Sequence, residues 1–355
     1  MAAMRLALFH AVLLALDAAT LLFLRKQPRR WLDALLRWTY STVISVGLGG
    51  WLVYPGESPA FSTIGLLAQL VFGHAPVVLA LAAAVRGLPS RLRVALIGTS
   101  LVLVGIAADA FLLEPHRLEV TRYEIATPAV ERRLRIVVLA DLQTDAVTGY
   151  EREVVRRARE LRPDLVLLPG DYVQLPEGDA YDATARALGR LVDTIHAPLG
   201  AYAVEGNVDP PTWPESVFGG TRVVATRRTT TVRVGPLALT SLSFEDSFDV
   251  GLALPREPGF HVVMGHGPDF ALGRVEADLL VAGHTHGGQV QLPLIGPLMT
   301  LSEVPRRWAA GGLVELPRGR RLVVSRGLGM ERGTAPRLRF LCRPELVVID
   351  LVPAR

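Results

Sequence analysis

The sequence has almost no cysteine and almost no lysine. Cys342 is the single cysteine, which excludes an intramolecular disulfide framework and a zinc cluster of thiolates. Lys26 is the single lysine, so the formal net charge of +4 is carried almost wholly by arginine. That preference, beside abundant Ala, Leu, Val, Gly and Pro, points to a GC-rich, bacterial genome. The arginines are scattered rather than grouped with aromatics, which argues against a nucleic-acid partner. Repeats and low-complexity linkers are missing from the C-terminal two thirds. No Ser/His/Asp or Cys/His arrangement there offers a protein nucleophile.

Apolar residues are in excess. They make up 50% of the 355 residues, and the mean hydropathy is +0.32, too high for an ordinary soluble chain of this size. The excess lies before about residue 114, in runs at 5–25, 38–54, 64–85 and 94–113, each near the length that crosses a bilayer. The expected organisation is a transmembrane region of about four helices over 1–115 and one soluble domain over 116–355. Between the first two runs stand Arg25, Lys26, Arg29, Arg30 and Arg37, and between the last two Arg86, Arg91 and Arg93; the middle loop has no basic residue. By the positive-inside rule the basic loops are cytoplasmic. The chain is therefore expected to be multi-pass in the plasma (inner) membrane, with its soluble domain extracytoplasmic. Asp17 and Asp109 fall inside apolar runs, with His10 and His74 as candidate neighbours. Without a periodic set of such residues, they read as polar contacts between packed helices.

Beyond residue 116, short Val/Leu/Ile runs alternate with amphipathic stretches. The strands expected are "LRIVVLAD", "DLVLLPGD", "GAYAVEGN", a hairpin turned at Gly235-Pro236, "FHVVMGHG", "ADLLVAGHTHGG", "RLVVSRGLG" and "ELVVIDLV". "GYEREVVRRARELRP" and "YDATARALGRLVDTI" are the helices between them. Continuous apolar strands separated by helices imply a sheet covered on both faces. What ends each strand carries the chemistry: Asp141, Gly170-Asp171, Gly206-Asn207, Gly265-His266 and Gly283-His284-Thr285-His286. In open α/β sheets sites form at the carboxyl ends of strands, so these residues are expected on one rim. Oxygen and imidazole ligands suit Mn, Fe or Zn, and glycine before a ligand lets the backbone come close to an ion.

"GDYV", "EGNVD", "MGHGPD" and "AGHTHGGQVQLPLIG" in this order, followed by "VSRGLGMERGTAPRLRFLCRPELVVIDL", resemble the calcineurin-like metallophosphoesterase family, in particular its bacterial membrane-attached branch with the GHTHGGQ motif. The resemblance covers residues 134–351. It implies an α/β fold, a four-layer α/β/β/α sandwich, holding two divalent metal ions. On the matching positions Asp141 and His286 would bind the first ion, Asn207, His266 and His284 the second, and Asp171 both. The implied reaction is hydrolysis of a phosphoester or phosphoanhydride by a metal-bridging hydroxide. Arg326, Arg332 and Arg337 are candidates for phosphate oxygens or for ordinary surface arginines.

Two positions depart from the family motifs. Gln143 stands where D-x-H has its histidine, and its carbonyl oxygen can still serve as a ligand. Val208 stands where G-N-H-D has a histidine that contacts the phosphate. Asp145 and Asp209, close by in sequence, are candidates for a replacement acid or water-holding group; a turn residue and a helix cap are the other readings. The expected function is a membrane-anchored, metal-dependent phosphohydrolase acting on a phosphorylated small molecule or a lipid-linked substrate. The alternative is a metal-binding sensor or scaffold whose catalysis has lapsed with Gln143 and Val208.

Overall fold

A computed structural model describes residues 2–56 and 58–354; Met1, Glu57 of the middle loop and Arg355 lie outside it. The chain divides into two compact units, one of Met1–Leu112 with Glu331–Arg337, the other of Leu113–Met330 with Leu338–Arg355.

The first unit is helical: α1 (Ala2–Lys26), α2 (Trp31–Leu52), α3 (Pro59–Gln69), α4 (Ala75–Ala83) and α5 (Ser90–Ala108). Among the described residues, three stretches are long and apolar enough to cross a membrane, Ala3–Lys26, Pro59–Ala83 and Ser90–His116. The expected fourth is α2, which carries Asp33 and Arg37 early and Gly47, Gly49 and Gly50 late. Those residues lower its apolar character, and the count by this measure is three. Between α3 and α4 the chain widens into a π turn, Leu70–His74, in which the Ala75 N–H reaches back to the Leu70 carbonyl. Pro76, with no N–H to donate, follows two residues after that turn. Small residues bring the backbones together: a Cβ on Gly50 would stand 2.0 Å from Thr63 Oγ1, and one on Gly65 2.2 Å from the Thr334 carbonyl oxygen. Ser62 Oγ also donates to Thr334 Oγ1 at 3.3 Å.

The second unit is mixed α/β and contains two six-stranded sheets. The first is built from β1 (Glu119–Thr127), β2 (Leu134–Val138), β3 (Leu165–Leu168), β4 (Ala201–Val204) and β5 (Val223–Thr226). The second contains β6 (Thr230–Val234), β7 (Leu237–Ser241), β8 (Phe260–Met264), β9 (Leu279–Ala282), β10 (Gly312–Glu315) and β11 (Arg321–Val324). The last strand, β12 (Glu345–Pro353), returns to the first sheet, parallel to β1 and antiparallel to β2. The orders are β1-β12-β2-β3-β4-β5 and β10-β11-β9-β8-β7-β6.

Side chains alternate along each strand. Ile136 and Val138 of β2 pack with Leu239, Met264 and Val281 of the second sheet, while Val137 packs with Val154 and Leu188. These last two belong to helices α6 (Gly149–Glu160) and α7 (Asp179–Val192). A third cluster, around Val263, Leu280, Leu322 and Phe270, lies on the other face of the second sheet. The strands expected from the sequence thus divide between two sheets. The β6–β7 hairpin turns at Gly235-Pro236 as expected, with Val234 opposite Leu237.

Candidate metal centre

The candidate ligands follow β2, β3 and β4 of the first sheet and β8 and β9 of the second. The carboxyl ends of both sheets thus supply one site. The chain turns sharply there: Asp141, Gln143, Asp171, His284 and His286 all have positive φ, from 39° to 67°. Such backbone costs on the order of 1–3 kcal/mol per residue and persists where its surroundings impose it, often at functional sites. Two glycines make the approach possible. A Cβ on Gly206 would lie 2.2 Å from Asp171 Oδ1, and one on Gly283 2.7 Å from Asp141 Oδ2.

Hydrogen-bond accounting shows what the cluster lacks. His266 Nδ1 lies 2.7 Å from the Pro169 carbonyl oxygen, which only accepts, so Nδ1 carries the proton and Nε2 a lone pair. That lone pair faces Asn207 Oδ1 at 2.9 Å and Asp171 Oδ1 at 3.5 Å. His284 repeats the device: Nε2 donates to the Leu301 carbonyl at 3.1 Å, and Nδ1 turns its lone pair to the same Asn207 Oδ1 at 2.9 Å. Two imidazole nitrogens, Asn207 Oδ1 and Asp171 Oδ1 converge here. A cation is what such a set accommodates.

Beside it, Asp141 Oδ2 and both ring nitrogens of His286 are buried without a hydrogen-bond partner. Asp141, Asp171 and His266 can each offer a ligand atom within 4.8 Å of the others. Burial and the neighbouring Asp171 carboxylate push the Asp141 carboxyl well above its ordinary range. Burial pushes His266 and His284 down to about 4 and His286 well below its usual value. Histidine as a neutral ligand and carboxylates that crowd each other are the states a divalent cation stabilises. The donor set fits a metal centre.

Gln143 is buried, and its Nε2 donates to Gln174 Oε1 at 3.1 Å. Val208 directs its backbone N–H to Asp171 Oδ1 at 3.0 Å. Asp209 does not sit at the start of a helix, since Thr212 precedes α8 (Trp213–Phe218). Its carboxylate instead accepts from the peptide N–H groups of Gly206, Asp171 and Tyr172, at 2.8 to 2.9 Å. Burial first, then Asp171, push its carboxyl up to about 8 against those three donors. Asp145 is half-buried in the bend after Thr144. Arg326 is committed to Glu119 and Glu345 at 3.0 Å each, and Arg332 and Arg337 belong to the helical unit.

Sequence reasoning passed over Arg339. Its guanidinium is fully buried and donates to the carbonyls of Arg326, Gly327, Gly329 and Cys342. It thereby holds the loop whose Gly327 abuts Asp141 and His286. An arginine between Leu338 and Phe340 was the available signal.

Residues 134–288 match the calcineurin-like phosphoesterase family, and with the relatives below this makes the chain a hydrolase. Among similar proteins is the uncharacterized metallophosphoesterase YkuE of Bacillus subtilis, 29% identical over 67% of this chain and 87% of that protein. The phosphodiesterase YaeI of Escherichia coli is also 29% identical, over 67% and 90%. The UDP-2,3-diacylglucosamine pyrophosphatase LpxG of Chlamydia trachomatis is 27% identical over 67% and 90%. A solved dimetal phosphatase from Danio rerio is 11% identical over 56% of this chain and 88% of its own, with a TM-score of 0.35.

Proposed function

We propose that this chain is a membrane-anchored, metal-dependent phosphohydrolase that cleaves a phosphoanhydride or phosphoester of a lipid-linked or other phosphorylated substrate. The observation that carries it is the buried cluster of Asp141, Asp171 and His266, with Asn207 Oδ1 between His266 Nε2 and His284 Nδ1 and orphaned Asp141 and His286 atoms beside it.

In this reading Asp141, Gln143 and His286 hold one divalent ion, Asn207, His266 and His284 a second, and Asp171 joins both; Mn, Fe or Zn suits the donors. When bound, such a pair polarises a phosphoryl group and makes water a nucleophile near neutral pH. The chain's own residues supply orientation. The Pro169 and Leu301 carbonyls fix the tautomers of His266 and His284. The bond to Gln174 holds the Gln143 amide. Asp209 and Arg339 brace the loops beneath. No imidazole stands at Val208 to protonate a departing oxygen. A positioned acid is worth about 10²–10⁴-fold, so a leaving group that needs no proton, such as the phosphate of an anhydride, suits this site better than an alkoxide. The anhydride substrate in the name of the relative LpxG supports the same choice.

The wider arrangement belongs to the proposal too. It is a four-layer α/β/β/α domain over 116–355, behind a multi-pass helical region over 1–115 in the plasma membrane. The basic loops are on the cytoplasmic side and the domain is outside it. The loop charges support it, with α2 (Trp31–Leu52) as a further crossing beside the three long apolar stretches of the described residues.

The test is purified full-length chain with Mn²⁺ and a panel of nucleotide-sugar pyrophosphates, lipid pyrophosphates, diesters and monoesters, with bound metal counted. Turnover of an anhydride that Asp171→Asn abolishes is expected. The Gln143 and Val208 positions favour one other reading, a metal-binding sensor or scaffold. Two equivalents of metal with no turnover of any panel member would replace the enzyme by that reading.

A further inference from the structure

One surface of the α/β unit is not used by the metal chemistry. From Leu279 to Ser302 the chain carries no Asp, Glu, Lys or Arg. The first part of that stretch is the buried strand β9 and the loop of His284 and His286, but the later part is at the surface. A short antiparallel ladder pairs Gln291 with Pro297 and Leu292 with Gly296, and Pro293, Leu294 and Ile295 are exposed at its turn. Leu294 is fully exposed, and Ile295, Leu298 and Leu301 are each more than half exposed. Leu294 and Leu301 also have φ of 67° and 49°, a region that turns ordinarily fill with Gly, Asn or Asp. A turn that only reversed the chain in water would carry those residues. Large aliphatic side chains displayed together instead mark a surface that something apolar covers.

The hairpin is braced at its base. Gln291 Nε2 donates to the carbonyls of Gly287 and Ala310 at 3.0 and 2.7 Å. The Phe340 peptide accepts from Gln291 N–H at 3.0 Å and donates to the Gln289 carbonyl at 2.9 Å. Gly288 makes room for Pro297, since a Cβ on it would stand 2.6 Å from the Pro297 Cβ. At the far end the Leu301 carbonyl accepts from His284 Nε2. The apolar tip is thereby fixed to the loop of candidate ligands. The short helix Arg306–Ala309 packs against Gly296-Pro297. Arg306 and Arg307 are exposed there, and among the described residues neither has an ion pair. Glu303 is the one acidic residue between Asp278 and Glu315.

We propose that this hairpin docks on a lipid surface, with Leu294, Ile295, Leu298 and Leu301 in the boundary between headgroups and acyl chains and Arg306 and Arg307 against anionic headgroups. Exposed aliphatic residues flanked by arginine are the composition that lies in a membrane interface, and basic groups beside it are drawn to anionic lipid. The patch is a few side chains at a turn, whereas a stable protein interface takes about 800 Å² per partner. A bilayer needs no complementary pocket and accepts such a tip as it stands. The three long apolar stretches of the described residues provide the bilayer in the same chain. Docking would hold the mouth of the metal centre at headgroup level, where the phosphate of a lipid-linked molecule lies. The proposal rests on the membrane anchoring argued above and is independent of whether the centre hydrolyses anything.

The test is fluorescence on full-length protein, one copy per lipid nanodisc of phosphatidylglycerol and phosphatidylcholine, with no substrate added. Leu294→Cys and, separately, Ile295→Cys are labelled with an environment-sensitive dye; the natural Cys342 is buried and stays unlabelled. Ala183→Cys, on the exposed side of α7, is the aqueous comparison. The expected result is blue-shifted emission at the hairpin, quenched by spin-labelled lipid and shielded from iodide. Quenching by iodide as strong as at Ala183→Cys, with none from the lipid, overturns the docking. Shielding from both quenchers overturns it too, because the tip is then covered by protein. Protein that never enters the discs overturns the anchoring and the docking together, whereas protein that enters with a wet hairpin overturns the docking alone. The two labelling positions are read separately, so one that fails to fold leaves the other to decide.

Discussion

Asp209 and Arg339 are both buried polar side chains spent on backbone groups, and their substitution separates bracing from chemistry. Asp209→Ala strands three buried peptide N–H groups, each costing roughly 1–3 kcal/mol. Thermal unfolding of the metal-loaded protein should shift down by several degrees. A loss of kcat with an unchanged Tm would instead make Asp209 the acid. At the neighbouring position, Val208→His should raise turnover of alkyl phosphomonoesters, by up to about 10²-fold, and change anhydride hydrolysis far less. A steady-state comparison on the two substrate types checks it. His261 gives a pH dependence away from the metal. It is buried on β8, with Nε2 2.8 Å from Thr240 Oγ1, and burial lowers its pKa from 6.5. The unfolded chain then binds a proton below pH 6.5 that the native state refuses. Its contribution to stability is present above that pH and is lost progressively as pH falls through it. His261→Gln should flatten the acid limb of Tm measured against pH.

At the scale of elements, much of the chain was legible because long apolar runs and ligand-bearing strand ends announce themselves. The strands bearing Asp141, Asp171, Asn207, His266 and His284 were all readable, as were α6 and α7. Thr148 and Glu151 close a capping box at the start of α6. Strands β1, β5 and β10 were not read. β1 alternates exposed and buried residues at a sheet edge, and in sequence "EVTRYEIAT" resembles a linker. β5 and β10 are four residues each, too short for period to speak. The division into two sheets was invisible to strand patterns, since a covered strand reads the same in either. Gly189 of α7 shows how closely elements meet: a Cβ there would stand 1.6 Å from the Val217 carbonyl oxygen of α8. Gly189→Ala should therefore cost on the order of 1–3 kcal/mol and lower the midpoint of denaturant unfolding, with metal content per folded molecule unchanged.

For the whole molecule, the metal centre joins strands from both sheets, so ions should stabilise the entire α/β unit. Saturation a hundredfold above Kd is worth about 2.7 kcal/mol. Chelator should lower Tm and Mn²⁺ restore it, and Asp171→Asn should abolish the difference between the two curves. What stayed illegible at this scale depends on residues distant in sequence. The Pro169 and Leu301 carbonyls orient histidines 97 and 17 residues away, and no spacing rule points to either. Segment Glu331–Arg337 sits between stretches of the α/β unit in sequence but clusters with the helices, through the contact of Thr334 with Gly65.

Asn207, whose Oδ1 lies between His266 and His284, is the single asparagine of the chain. Isotope-labelled asparagine added to the growth medium would therefore place one side-chain amide signal in the spectrum, at the position proposed for the second ion. The protein carries its own reporter: titration with metal, chelator or phosphate can be followed at one resonance, with no residue replaced and nothing else to assign.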